Sequence, residues 1–542
     1  MRNRIFILLF CVSVKLIGQV SFEQGEYVQF KTAKQGIHVL NGMDLVDAGI
    51  LANGDRLDRI ILLQRTASVL SHLNDTSKEF IVSTPYFIDD SDTILDASSK
   101  VYFYSNAAFG VNWNNSSQLY QYTAHPYSNF EHFLVSSTNQ SNANGMYSVS
   151  GDKAGQGLRT ITTSRQFWHR DTAMFNLVGT GRRWFGELFD FTTIQAFELP
   201  FNPIAIPDSA IMNIQLNAVA RSSVSSTSLA VQGVPCIQFP AVSTSSVAHY
   251  VTEGDFNLSF PASKQIILNY DKSSDNGAAL WLDQLKVNYL TSNAYVAHPN
   301  YQKRFQNFPR NVDSTSTIWI DGQGLLVFDV TNANQPVRIE PIANLNYTAW
   351  EVTEEAFKEF IAIHPDDAFN PELVRTGKML DIQALLDKNA LIIAPDSLMS
   401  SAQRLETIQN AVGVNSKAVS LEEIYAYVNG GTPDIAAIRQ FLVELSSHQI
   451  NRLQYLTLFG DASYDYKETL PSKSNQVPTF ESFGSFSLYS SYITDDYFGY
   501  LDQGEGLNWY ANDLDLGIGR IPVNNNKDAI AVIAKIASYV NS

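Results

Sequence analysis

Two textures divide the chain. Between residues 20 and 347, apolar positions come in short runs that alternate with polar ones: EYVQFKTAKQGIHVLNG, DRIILLQR, KVYFYSN, LYQYTAHPYSNFEHFLVSS. These runs are rich in Tyr, Phe and Val, and the alternation predicts half-buried strands. Asn41-Gly42 and the Ser/Asn/Gly-rich stretches SSTNQSNANG and ARSSVSSTSLA supply the turns and loops. KQIILNYDKSS, AALWLDQLKVNYL and TIWIDGQGLLVFDVTNANQPVRIE continue the habit. The pattern predicts two β-rich, sandwich-like domains, residues 20–150 and 151–347, joined near 145–158.

After about Ala349 the period changes. Residues 353–362 (TEEAFKEFIA) read as a helix, and LIIAPDSL as a short all-apolar strand ending in a turn. Ala402, Leu405, Ile408 and Val412 recur at helical spacing. Thr432-Pro433-Asp434 opens the helix IAAIRQFLVELSS with a capping hydroxyl and an early proline. YLTLFGD and DLGIGRI are further buried strands, and residues 527–540 form a closing helix. Alternating β and α of this kind builds a mostly parallel sheet with helices on both faces. Residues 348–542 therefore read as a three-layer α/β subdomain.

Composition narrows the class. A net charge of -17 over 542 residues opposes nucleic-acid binding, which needs a basic surface to release counterions. It opposes a polybasic membrane anchor equally. Arg2 and Arg4 precede an apolar run from Ile5 to Val14, and Leu16-Ile17-Gly18 ends in a small residue, so residues 1–19 read as a signal peptide. No other run is long enough to span a bilayer, which predicts an exported chain without a transmembrane segment. Cys11 falls within the signal, leaving Cys236 as the mature thiol and excluding an internal disulfide. Cys236 lies among apolar neighbours in VQGVPCIQFPAV and reads as a small buried hydrophobe rather than a nucleophile.

The stretch from Tyr455 to Tyr539 carries charged residues that a core does not need: Asp461, Asp465, Asp495, Asp496, Asp515 and Arg520. Asp461 and Arg520 each follow a buried strand, at the end of the sheet where open α/β folds place ligands. They are either a charged shelf for an active site or an Asp–Arg pair fixing two strand ends. Asp495, Asp496, Asp513 and Asp515 offer oxygen ligands for a structural calcium ion, but their spacing matches no standard loop, and a solvated acidic hairpin accounts for them as well. His169, His364 and His448 have strand, turn and helix-end contexts without catalytic neighbours. In GTGRRWFG, Arg182, Arg183 and Trp184 read as a turn that presents side chains for packing. No G-x-S-x-G, H-E-x-x-H or P-loop occurs.

YLTLFGDASYDYK, VPTF, SSYITDDYFGYLD, DLDLGIGRIPV and IYAYVNGGTPDIAAIRQFL together resemble the gingipain family of cysteine peptidases, in its outer-membrane branch of PorU-type sortases of type IX secretion. The resemblance is specific over about residues 390–542. Upstream, LYQYTAHPYSNFEHFL, NLVGTGRRWFGELF, LWLDQLKVNYL and LVFDVTNANQPV match short family segments in order. Ala462 and Thr494 depart from the usual Gly and Ser. The resemblance implies a caspase-like double α/β unit whose His and Cys lie downstream of this block, so that no catalytic residue is expected within this chain. It makes Asp461, Asp465, Asp495, Asp496 and Arg520 active-site support. It implies no required cofactor, cargo proteins with C-terminal signal domains and other secretion components as partners, and a place at the periplasm or the outer-membrane surface. The other reading is a non-catalytic exported β-rich scaffold with a docking α/β domain.

Overall fold

The computed structural model describes residues 25–542 except 67–68, 75–79, 90–92, 140–144, 153–158, 205–210, 244–248, 308, 310–313, 344, 449, 451, 472–474, 488 and 507–511. The signal peptide at 1–19 and residues 153–158 of the expected join lie outside the described residues.

After residue 389 the apolar runs LIIA, YLTLF and GIGRI, joined by the more polar SKAVS, form a four-stranded parallel sheet. Its strands are β1 (Ala390–Ala394), β2 (Ser416–Ser420), β3 (Tyr455–Phe459) and β4 (Gly517–Ile521), in the order β2-β1-β3-β4. Successive residues of β1 face opposite layers, as strand geometry requires. Leu391 and Ile393 pack with helices α2 (Leu421–Asn429) and α3 (Ile435–His448). Ile392 and Ala394 pack with α1 (Met399–Ala411) and α4 (Asn526–Val540). Ser420 caps α2 by accepting from the Glu423 N–H (3.2 Å), and Gly430 ends it in the left-handed region at φ +75°. The expected three-layer α/β unit is present, and its parallel sheet begins at Ala390.

Residues 348–378 lie outside that sheet. The helix expected over 353–362 is instead the end of strand Thr348–Thr353 followed by strand Glu359–Ile363. Ile361 and Ile363 enter one core while Phe360 and Ala362 enter another, so this strand is covered on both faces. Burial on two sides outweighs a helix-favouring composition.

The β-rich region is interleaved. Residues 163–292 fold as a sandwich of two antiparallel sheets around one apolar core. The chain after Arg304 then returns to sheets begun near the N-terminus. Strand Glu372–Lys378 pairs with Glu26–Thr32, and Ser148–Ser150 with Val337–Glu340. Strands of the segment drawn at 20–150 therefore find partners in both 151–347 and 348–542, because sheet partners far apart in sequence leave no local signature.

The α/β unit sits on the first of these sheets. Ala426 of α2 packs on Tyr27, Ile61, Leu63 and Leu134. The Thr432 hydroxyl accepts from the His132 N–H (3.0 Å), and the Gln29 amide donates to the Gly431 carbonyl (3.2 Å). Beneath this contact Arg65 and Glu131 form a fully buried ion pair, with Arg65 Nε 2.8 Å from Glu131 Oε1.

Candidate functional site

The carboxyl ends of β3 and β4 meet the loops 461–482 and 491–500, and Arg520 ties them together. Its Nε and Nη2 donate to the two oxygens of Asp495 (2.8 and 2.6 Å). Nη1 donates to the carbonyls of Gly460 (2.9 Å) and Val477 (2.6 Å), and Nη2 also reaches that of Pro478 (3.3 Å). Thr479 Oγ1 donates to Asp495 Oδ1 (2.7 Å). A planar guanidinium with five donors suits this role, since it pairs with a carboxylate in two parallel bonds and still reaches carbonyls at its back.

This arrangement corrects the Asp461–Arg520 pair. Asp461 instead accepts from its neighbour's Ala462 N–H (3.0 Å) and from Asn524 Nδ2 (3.1 Å). Asp465 is buried, with Oδ2 accepting from the Leu470 N–H (2.6 Å) while Oδ1 has no hydrogen-bond partner. Asp496 is exposed at the start of a short 3-10 turn, Asp496–Gly499. The calcium candidates do not form one ligand set. Asp495 is engaged by Arg520, Asp513 is exposed, and Asp515 accepts from the Leu501 N–H (3.1 Å) with Arg452 at 3.7 Å. Among the described residues no three Asp, Glu, His or Cys groups gather where they could hold a metal ion.

The structure also brings in residues whose role was not evident in the sequence. The turn Gly179–Trp184 of the sandwich domain seats the aromatic loop. The Arg182 and Arg183 backbone N–H groups donate to Ser482 O (3.3 Å) and Ser485 Oγ (2.9 Å). Arg183 pairs with Glu253 (2.7 Å) and Asp283 (2.8 Å), and Trp184 stacks on Tyr464 with ring centroids 5.8 Å apart. Gly181, at φ +77°, must be glycine on two counts: a Cβ there would sit 2.6 Å from Gly484 O and against Ser485 Oγ. The two glycines flanking Thr180 were the available signal.

Burial displaces the pKa values of several groups here. Glu481 is 1% exposed, and desolvation pushes its carboxyl up to about 7, the Arg182 guanidinium opposing that rise. Burial likewise raises Asp434 to about 6, opposed by N–H groups from Ala436 and Leu70 and by Arg65. Asp434 Oδ2 lies 3.6 Å from His125 Nε2, while His125 Nδ1 accepts from the Tyr127 and Ser128 N–H groups. Those two bonds fix Nδ1 as the bare nitrogen, so His125 is held as a neutral strut and not as a base. His169 stacks on Tyr122 (4.2 Å), His364 caps a 3-10 turn, and His448 closes α3. Cys236 is half-buried at the edge of the sandwich core, less enclosed than its apolar neighbours predicted, and burial raises its thiol pKa.

A parallel sheet flanked by α1/α4 and α2/α3, with an acidic turn after its third strand, fits a caspase-like α/β arrangement. Residues 383–542 match the family model of peptidase family C25. Over 94% of its length the chain superposes on the latent dimeric PorU of Porphyromonas gingivalis with a TM-score of 0.74 and 18% identity, and it spans 49% of that longer chain. The shared fold thus includes the β-rich region as well as the α/β unit. A carbohydrate-binding module of family 36 (13% identity, 23% of this chain and 99% of that one) reaches a TM-score of only 0.13. An acetyl xylan esterase of Butyrivibrio proteoclasticus (9% identity, 64% and 98%) reaches 0.15, and neither bears on this chain. No curated protein matches the sequence.

Proposed function

We propose that this chain is the β-rich region and first α/β subdomain of a sortase-like cysteine peptidase of type IX secretion. The supporting observation is the coincidence of the C25 match with a PorU-like fold that runs through the β domains too. In this reading the family's His and Cys lie downstream of the matched block. The thiolate attacks the peptide carbonyl that precedes a cargo protein's C-terminal signal domain, and water or an amine resolves the acyl-enzyme. Such chemistry needs no cofactor. Arg520, Asp495, Asp461 and Asp465 are support: they hold the loops at the carboxyl edge of the sheet in one arrangement, with Asp496 exposed beside them, and none is placed as a proton carrier. The protein works after export, at the periplasmic or outer surface of the outer membrane. Among the described residues no helix is long and apolar enough to cross a membrane.

The test is to incubate the product of the whole gene with a reporter cargo that ends in a C-terminal signal domain. Removal of that domain, blocked by an epoxide cysteine-peptidase inhibitor, is the expected result. Stable binding of cargo without cleavage would replace the proposal with the scaffold reading.

A further inference from the structure

A cleft of about 650 Å³ opens where the sandwich domain meets the loops of the α/β unit. The sandwich side contributes Asp171, Trp184 and Asp283, and the loops contribute Tyr466, Lys467 and Phe483. The turn that carries Lys467 is held in one conformation. The Glu468 N–H donates to the Asp465 carbonyl (3.3 Å) and the Leu470 N–H to Asp465 Oδ2 (2.6 Å). Glu468 takes the left-handed region at φ +51°, uncommon for a residue with a side chain and a conformation that persists only where its surroundings enforce it.

Lys467 Nζ makes no hydrogen bond or ion pair among the described residues, and it is not one of the sealed side-chain atoms, so it opens to the water of a cleft. Lys467 also borders a neighbouring cleft of about 480 Å³. Its ammonium is coupled electrostatically to Asp171 and His125, which line the first cleft and not the second, so that is the side it faces. Burial lowers the Lys467 pKa, with the Asp171 carboxylate opposing the fall. A lysine kept from full hydration holds more of its amine in the neutral, nucleophilic form. Asp171 Oδ2 accepts from Gln284 Nε2 (3.1 Å), and burial raises its carboxyl pKa.

We propose that Lys467 is a covalent docking site for an aromatic aldehyde, held in the cleft as an imine. Nζ adds to the carbonyl carbon, and the carbonyl oxygen takes up the proton that Nζ gives up. The resulting hydroxyl leaves as water with a proton from Asp171, which leaves a protonated C=N beside the Asp171 carboxylate. Nothing is oxidised or reduced. The product carries a positive charge where the lysine carried one, so the charge balance of the cleft is kept. A free anion would instead meet Asp171, Glu253 and Asp283. Trp184, Tyr466 and Phe483 offer ring surfaces, which favour an aromatic body over an alkyl chain. The inference does not depend on peptidase activity.

The test treats this chain at neutral pH with benzaldehyde or butanal, traps imines with cyanoborohydride, and reads each lysine by peptide mass spectrometry. Benzaldehyde should modify Lys467 about tenfold faster than Lys378, whose side chain is 72% exposed, and the Lys467 rate should saturate with concentration. Butanal, which has no ring to stack, should show a severalfold smaller preference. Lys467→Arg should remove the fast site, since a guanidinium forms no such imine. Phe483→Ala, at a side chain 65% exposed, should slow benzaldehyde at Lys467 severalfold and leave Lys378 unchanged. Equal rates at Lys467 and Lys378, the same preference with butanal, or no effect of Phe483→Ala would overturn the proposal.

Discussion

Arg520→Ala removes five hydrogen bonds at once: two to Asp495 and three to the carbonyls of Gly460, Val477 and Pro478. The side chains of Arg520 and Asp495 are 14% and 23% exposed, so the pair is mostly desolvated without being sealed. Breaking a fully buried pair costs about 3–5 kcal/mol, and partial exposure lowers that to roughly 3 kcal/mol for the arginine. Asp495→Ala should cost less, about 2 kcal/mol, because Arg520 keeps its three carbonyls. In a double-mutant cycle the two changes should couple by roughly 1.5–2 kcal/mol. Asp461→Ala and Arg520→Ala should instead add, because no bond joins them. The chain has several cores and a single global transition cannot be assumed, so the readout is native-state hydrogen exchange on peptides covering 476–482 and 493–500. Coupling below about 0.5 kcal/mol between Arg520 and Asp495, or coupling above 1 kcal/mol between Arg520 and Asp461, would refute this account of the anchor.

Further expectations rest on other parts of the site. The folded-state pKa of Glu481, about 7 against an ordinary 4.5, means that the folded protein keeps a proton which the unfolded chain releases. Stability from this group is full below about pH 4.5 and is lost as the pH rises to about 7, a span of about 3 kcal/mol. Glu481→Gln should therefore flatten, between pH 4.5 and 7.5, the pH dependence of the opening free energy read by hydrogen exchange on peptides covering 476–482, and a slope as steep as the parent's would contradict the burial argument. Gly181→Ala should cost about 1–3 kcal/mol and loosen the aromatic loop, read as faster proteolysis between residues 482 and 492 and altered Trp184 fluorescence. With its pKa raised, Cys236 should react with iodoacetamide at pH 7 more slowly than free cysteine, and the labelled chain should not hydrolyse peptides.

Three of the sheet's strands, in LIIAPDSL, YLTLFGD and DLGIGRI, were legible as short apolar runs followed by a turn, signals that survive without tertiary context, whereas Ser416–Ser420 (SKAVS) is too short and too polar to read as a strand. The segment TEEAFKEFIA was misread because its composition favours a helix locally, while its true environment is two apolar layers contributed by residues hundreds of positions away. The exchange of strands between residues 26–150 and 304–378 was hidden for the same reason. At the site, Arg520 and the acidic residues stood out as charges beside buried strands. Which acid Arg520 meets was not readable, because Asp461 is its neighbour at the sheet edge while Asp495 arrives on a loop. Glu481 gave no signal at all: its neighbours in sequence do not reveal that it is buried.

The proposed function makes residues 383–542 the supporting half of a C25 active site. The most direct measurement is to label the product of the whole gene with an epoxide probe and to locate the modified residue by mass spectrometry. The account predicts one labelled cysteine C-terminal to residue 542, preceded by a strand ending in Gly-His-Gly, with labelling slowed by Arg520→Ala. Labelling at Cys236, or none in a folded protein, would contradict it.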